Sequence, residues 1–426
     1  MMNRRNYFAM LFVVLVLNSC STDDESNATT NTTTENLPEI SGYPIVSTEQ
    51  TLSYNNTGII SSPSSGSDFF GQNANYLGTR ANYEDNGDGT VTDMVTGLMW
   101  TQSPDLNDDG VIDNNDKISQ TDAESGAVTS TFAGYDDWRL PTIKELYSLA
   151  MFYGAEPEVL ATEQGNAVPY IDTDVFEFAY GDLNAGERII DAQFASSTIY
   201  TSTTMNGDRT MFGFNFADGR IKGYPTDFNP ISPGESNRFY VLYVRGNTSY
   251  GSNTFSNNGD GTITDNATGL MWKQDDEGTD MLWEDALAYA EDHEFGGYSD
   301  WRLPDAKELQ SIIDYSRSPA TTNSAAIDGI FNSTQITNEA GQDDYPMYWT
   351  STTFSTTSQA SGTYAIYLCF GRAMGFINGD WLDVHGAGAQ RSDPKTGNPD
   401  DYPEGHGPQG DAIRISNFIR LVRNVN

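Results

Sequence analysis

Twelve consecutive residues carry the most specific chemistry in this sequence. Asp105, Asn107 and Asp109 set side-chain oxygens at positions 1, 3 and 5 of a loop that runs to Asp116. Gly110 permits a sharp turn at position 6, Val111 can offer its carbonyl at position 7, Ile112 is the apolar residue at 8, and Asp113 and Asp116 fill 9 and 12. Hard oxygens at that spacing wrap one Ca²⁺, because alternate residues point inward. The pattern predicts calcium as a structural cofactor that staples the loop; the alternative is a solvated acidic turn. Two shorter turns, Asn86-Gly87-Asp88-Gly89 and Asn258-Gly259-Asp260-Gly261, put their next acid, Asp93 or Asp265, at the wrong offset for such a loop. They read as hairpin turns.

Other reactive side chains are sparse. The chain has three histidines and two cysteines, and no Ser-His-Asp or Cys-His arrangement can be argued from them. No catalytic residue is assigned, and the protein is not expected to be an enzyme. His385 and His406 stand in a glycine-rich stretch that runs to Asp411; their spacing matches no compact ligand pair, which leaves open both a transition metal and a structured cover. With the aromatics Trp381 and Tyr402 they form the candidate ligand-binding set. Arg391 and Asp393 read as a pair pinning that loop. Cys369, inside an apolar strand, reads as a structural thiol.

The elements that must position these residues come in two copies. Asn-Gly-Asp-Gly-Thr-Val/Ile-Thr-Asp and then Thr-Gly-Leu-Met-Trp occur at 86–100 and again at 258–272. Trp138-Arg139-Leu140-Pro141 and Trp301-Arg302-Leu303-Pro304 follow, then Tyr200-Thr201-Ser202-Thr203 and Trp349-Thr350-Ser351-Thr352, then Val244-Arg245 and Val422-Arg423. Each Trp-Arg-Leu-Pro segment reads as a strand end halted by proline. Thr142 or Asp305 then caps a helix, with Glu145 or Glu308 three residues on to complete a capping box. Apolar stretches at 211–216 and 364–370 predict inner strands. Trp283 to Ala290 predicts a helix, and the poor helix former Ser125-Gly126-Ala127 predicts that the first copy lacks its counterpart. Five tryptophans recur beside apolar residues and read as core. The interval from Trp100 to Trp138 is nine residues longer than that from Trp272 to Trp301, and the calcium-type loop fills it.

A formal charge of −38 argues against nucleic acid as a partner, since phosphate would be repelled at every approach. Arg4 and Arg5 precede an apolar run from Tyr7 to Leu17 that is too short to span a bilayer, and the segment ends Leu17-Asn18-Ser19-Cys20. This resembles a bacterial lipobox, which implies lipidation at Cys20 and membrane attachment through acyl chains alone. The acidic run Asp23-Asp24-Glu25 resembles the surface-export signal of bacterial lipoproteins. The expected organisation is a leader at 1–19, a disordered tether at 20–40, a first module at 41–248 with the calcium-loop insertion, and a second at 249–426.

The motif string, including Asp-Trp-Arg-Leu-Pro with Lys-Glu-Leu and the closing Val-Arg, resembles the family named for the C-terminal domain of the Legionella collagen-like protein, in two tandem copies. More remotely it is similar to the C-type lectin-like fold as seen in formylglycine-generating enzymes. The resemblance implies an α+β class: two tandem C-type-lectin-like domains, each a small twisted, mainly antiparallel sheet with one or two short helices and long loops. Taken with the lipobox and the acidic run behind Cys20, the expectation is an adhesin-like outer-membrane lipoprotein, exposed at the cell surface, that binds a glycan or protein ligand without catalysis. The alternatives are a structural or assembly component of the envelope and, more distantly, an enzyme of the formylglycine-generating type.

Overall fold

In both repeats the Trp-Arg-Leu-Pro segment is held by its own surroundings. The computed structural model describes residues 42–425 apart from 77, 206, 230–233 and 359–360; the predicted leader, Cys20 and the tether lie outside the described residues. Thr142 accepts from the Glu145 N–H ahead of helix α2 (Ile143–Ser148), and Asp305 accepts from the Glu308 N–H ahead of α4 (Ala306–Ser311). Glu145 and Glu308 reach back to the cap amides, so both predicted capping boxes form. The same acids take the corner arginines, Arg139 on Glu145 and Arg302 on Glu308. Asp137 and Asp300, just before each tryptophan, pair with the closing arginines Arg245 and Arg423 at 2.6 and 2.7 Å. The indoles of Trp138 and Trp301 donate to the carbonyls of Phe132 and Phe295, both at 3.0 Å. Each of these pairs occurs in both repeats and is used inside the fold.

The Asn-Gly-Asp-Gly turns close hairpins. Tyr83–Asp85 pairs with Thr90–Asp93, and Phe255–Asn257 pairs with Thr262–Asp265. Leu98–Thr101 or Leu270–Lys273 adds a third strand, and the closing strand, Val244–Gly246 or Val422–Asn424, pairs on its far side. Each repeat therefore begins and ends in one four-stranded antiparallel sheet. Trp100, Trp138, Trp272, Trp301 and Trp349 are all buried, as expected of core residues.

The inner strands of the two repeats join. β1 (Gln193–Phe194), β2 (Ile199–Thr204), β3 (Asp208–Asn215) and β4 (Arg220–Pro225) come from the first repeat. β5 (Met347–Phe354), β6 (Tyr364–Cys369) and β7 (Gln390–Pro394) come from the second. Together they make one seven-stranded sheet in the order β5-β6-β7-β4-β3-β1, with β2 also on β3. The joint is antiparallel, with Gln390 of β7 opposite Ile221 of β4. One hydrophobic cluster takes Tyr147, Phe212 and Phe214 from the first repeat and Ile313, Tyr348 and Ile366 from the second. The described residues all fall in one compact unit, in which sheet outweighs helix and the class is α+β.

Lysines of the two corners cross this junction. Lys144 Nζ donates to the Ser311 carbonyl at 2.7 Å, and Lys307 Nζ donates to the Ser148 carbonyl at 2.8 Å. Lys144 and Lys307 hold the same place in the repeat, as do Ser148 and Ser311, so the contacts are reciprocal, like those of an isologous dimer interface. Burial pulls both lysine pKa values down to about 8. The segment before the first hairpin adds a third tie: the Gln50 side-chain amide donates to the carbonyls of Phe152 and Thr353, at 2.9 and 2.8 Å, one in each repeat.

One expectation fails. The first repeat does have a counterpart to α3 (Trp283–Glu291), namely α1 (Gln120–Thr129). Ser119 caps it by accepting from the Asp122 N–H, and Ala123 and Ala127 bury in a cluster with Met99 and Trp138. Weak propensity is overridden by packing. Gly126 is part of that packing: a Cβ there would stand 2.5 Å from Tyr243 Oη. Gly126→Ala is therefore expected to destabilise by about 1–2 kcal/mol, as overpacking does. Helix propensity alone would have it stabilise. Thermal melts in the native and Tyr243→Phe backgrounds check this; a Tm at or above wild type for Gly126→Ala would reject it, and the Phe background should recover most of the loss.

Candidate binding site

A cleft of about 780 Å³ opens over the joint between the repeats. β4 lines it with Arg220, Lys222 and Tyr224, and β7 lines it with Arg391 and Ser392. Glu156, Asp218, His385 and Asp411 come from the flanking loops, and Phe228, Phe354, Tyr364 and Ile413 supply apolar surface. Period-2 alternation explains the charged floor: residues 220 and 222 share one face of β4, while Ile221 between them is buried in the core.

The register makes Lys222 and Arg391 counterparts. Phe214 pairs with Ile221 in the first repeat and Leu368 pairs with Gln390 in the second, and Ile221 and Gln390 face each other at the joint. The next residue along each strand is a base. Lys222 binds Asp218, and Arg391 binds Asp411 through Nη2. Arg220 is held by Glu156, with Asp218 at 3.8 Å, and its guanidinium lies 4.2 Å from the Phe354 ring centre. His385 Nε2 is 3.1 Å from Asp411.

Electrostatics of the floor follow from crowding. Burial, with Arg391 and Arg220 nearby, brings the Lys222 pKa down to about 8 against the pull of Asp218. Burial, then Arg220, also lowers Arg391. His385 is held well below its ordinary value by burial and by Arg391 and Lys222, so its imidazole is neutral at neutral pH. Arg391 is 7% exposed, yet its Nε and Nη1 have no hydrogen-bond partner, nor does the Tyr224 hydroxyl or Asp218 Oδ1.

Residues 89–245 and 261–380 match the Lcl C-terminal domain. The chain belongs to that family. No curated protein and no solved structure matches it. The two Lcl C-terminal domains are the two repeats of the sequence. The second match stops at 380, so the part of the cleft that holds His385, Arg391 and Asp411 lies past it.

Of the sequence-predicted ligand residues, the structure brings two to the cleft. His385 is buried in its wall, and His406 stands exposed at its rim with the Tyr402 ring 5.9 Å away. Trp381 instead packs on Phe376 across the hairpin Met374–Ile377 and Asp380–Asp383, away from the cleft lining. Arg391 and Asp393 do not pin one another. Arg391 pairs with Asp411, and Asp393 accepts from Asn417 Nδ2 at 3.1 Å and from the amides of Arg414 and Ile415, both at 3.0 Å. Opposite charges two residues apart on a strand point to the same face, but each found a nearer partner from the closing loop. Cys369 is buried, and desolvation pushes its thiol pKa far up, which suits a structural thiol.

The insertion at Asp105–Asp116 is organised by its own amides. Asp105 accepts from Gly110 N–H at 2.8 Å, Asn107 from Asp109 N–H at 2.9 Å, and Asp109 from Val111 N–H at 2.9 Å. Val111 is exposed. Asp113 and Asp116 form a capping box on the 3₁₀ turn Asn114–Asp116, and Asp116 also accepts from the amides of Leu106 and Asn107. Among the described residues no group of three His, Cys, Asp or Glu side chains is gathered that could hold a metal ion.

Sequence reasoning missed Arg220, Lys222 and Tyr224. Their signal was present as Arg-Ile-Lys-Gly-Tyr, bases and an aromatic at period 2, but nothing in one strand tells which face will meet another repeat.

Proposed function

We propose that this chain is an adhesin-like lipoprotein, held at the outer-membrane surface by acyl chains on Cys20, whose two domains jointly bind a glycan in the cleft without catalysis. The observation that carries this reading is the cleft itself. At about 780 Å³ it lies within the range of small-ligand sites, and both repeats line it with a few convergent polar groups among aromatic and aliphatic side chains. Lectin-like architecture for each domain is supported by its small antiparallel sheet, adjacent chain ends and long loops. Glycan-array binding by the purified chain, with Phe228→Ala as the cleft variant, tests the proposal. Phe228 is 48% exposed, so its loss should spare the fold. The expected result is binding that weakens in the variant. An array empty for the wild-type chain, with and without chelator, would sink the lectin reading.

Calcium belongs to this proposal as a staple of the Asp105–Asp116 insertion, supported by the acceptor pattern at positions 1, 3 and 5. Calcium is expected to raise the Tm of the wild-type chain and not that of the Asp105→Ala, Asp109→Ala double variant. A calcium shift unchanged in that variant rules the loop out.

A further inference from the structure

We propose that the joint between the two domains is a carboxylate subsite, so that the glycan of the preceding section carries a sugar acid with one negative charge. This rests on the cleft being the ligand site. The first observation is Arg391. A guanidinium 7% exposed, in a cleft wall, with only Nη2 engaged and both Nε and Nη1 buried without a partner, leaves donors that an acceptor seated against it would satisfy. The second is its counterpart. Lys222, placed at the equivalent position of the other repeat, brings a second cation to the same floor, and the Tyr224 hydroxyl two residues on is likewise unpartnered.

The charge balance selects the ligand. The whole chain has 22 bases against 60 acids, whereas the described cleft lining has five bases, Arg188, Arg220, Lys222, Arg238 and Arg391, against six acids. Against that acidic background the cleft offers an anion near-neutral surroundings. The lining acids include Asp218, Asp411 and Glu156, each beside a base, so a polysulfated or polyphosphorylated chain would meet repulsion along most of its length. A single carboxylate is the charge that Arg391 and Lys222 can take up together, and the half-buried Tyr364 ring and the exposed Phe228 offer apolar surface for the sugar. An N–H of the Arg391 guanidinium gives a carboxylate oxygen a charge-assisted hydrogen bond, stronger than one to a neutral hydroxyl.

Calorimetric titration of the purified chain with galacturonate, sialyllactose, the neutral counterparts galactose and lactose, and the carboxylate-free sulfated disaccharide sucrose octasulfate tests the assignment. At least one carboxylated sugar is expected to bind, with its neutral counterpart and the sulfated disaccharide weaker by about tenfold or more. Arg391→Met should abolish that preference, and Tyr224→Phe should weaken acid binding by about threefold to tenfold. The Phe variant guards against misfolding, because the hydroxyl it removes has no partner in the fold. Neutral sugars that bind as well as acids and are lost in Phe228→Ala would overturn the carboxylate subsite and leave the cleft reading standing. Acid binding unchanged in both Arg391→Met and Tyr224→Phe would overturn the subsite, and no sugar bound at all would overturn both readings.

Discussion

Arg302→Ala is expected to lower the unfolding free energy by about 3–5 kcal/mol, the cost of removing one partner from a buried ion pair. Arg302 meets Glu308 with two parallel contacts, Nη1 to Oε2 at 2.5 Å and Nη2 to Oε1 at 2.6 Å, and both residues are 8% exposed. Glu308 is also the acid of the capping box, accepting from the Asp305 N–H at 2.9 Å. Deleting the guanidinium leaves that carboxylate buried without two of its donors and loosens the start of α4. Arg302→Lys should lie between, since an ammonium keeps the charge and loses the fork. The first repeat supplies the control. Arg139 has a 29% exposed side chain, so water can replace it over Glu145, and Arg139→Ala should cost about 1–3 kcal/mol. Urea denaturation of the three variants reads this directly. Equal losses at 302 and 139, or a loss below 1 kcal/mol at 302, would contradict the reading of the corner.

Lys307→Ala should cost about 2–4 kcal/mol, from a cavity and from two carbonyls left without their donor. The ammonium of Lys307 holds Ser148 O at 2.8 Å and Ser47 O at 3.1 Å, both outside its own repeat, and the residue is 4% exposed. Lys144, less buried, makes the reciprocal contact and should cost less. Because both bonds tie α2 to α4, the double variant should depart from additivity by about 0.5 kcal/mol or more. The wild-type chain should unfold in one transition, since a single sheet and core run through both repeats. Two separate transitions in the wild type, or a neutral Lys307→Ala, would show that the junction is weaker than its hydrogen bonds indicate.

The reasons why parts of this molecule were legible lie in particular residues. Capping boxes at Thr142/Glu145 and Asp305/Glu308, hairpins at Asn-Gly-Asp-Gly, and buried tryptophans follow from local rules that a sequence states outright. Helix α1 was missed because the local rule and the packing disagree. Gly126 lowers helix propensity and is kept small by Tyr243, a residue more than a hundred positions away. The lysine of Lys-Glu-Leu reads on its own as a solvated helix residue, and only its partner repeat makes it a buried donor.

By itself the sequence determined the duplication, the family, the capped corners and the hairpins, because each depends on residues a few positions apart or on the comparison of one copy with the other. The tertiary structure alone decided that the two copies share one sheet, that Lys144 and Lys307 cross between them, and that Lys222 and Arg391 meet on one face above the joint. The physical reason is that strand register and helix packing bring together side chains separated by more than 150 residues, and a linear pattern carries no term for which edge will find which.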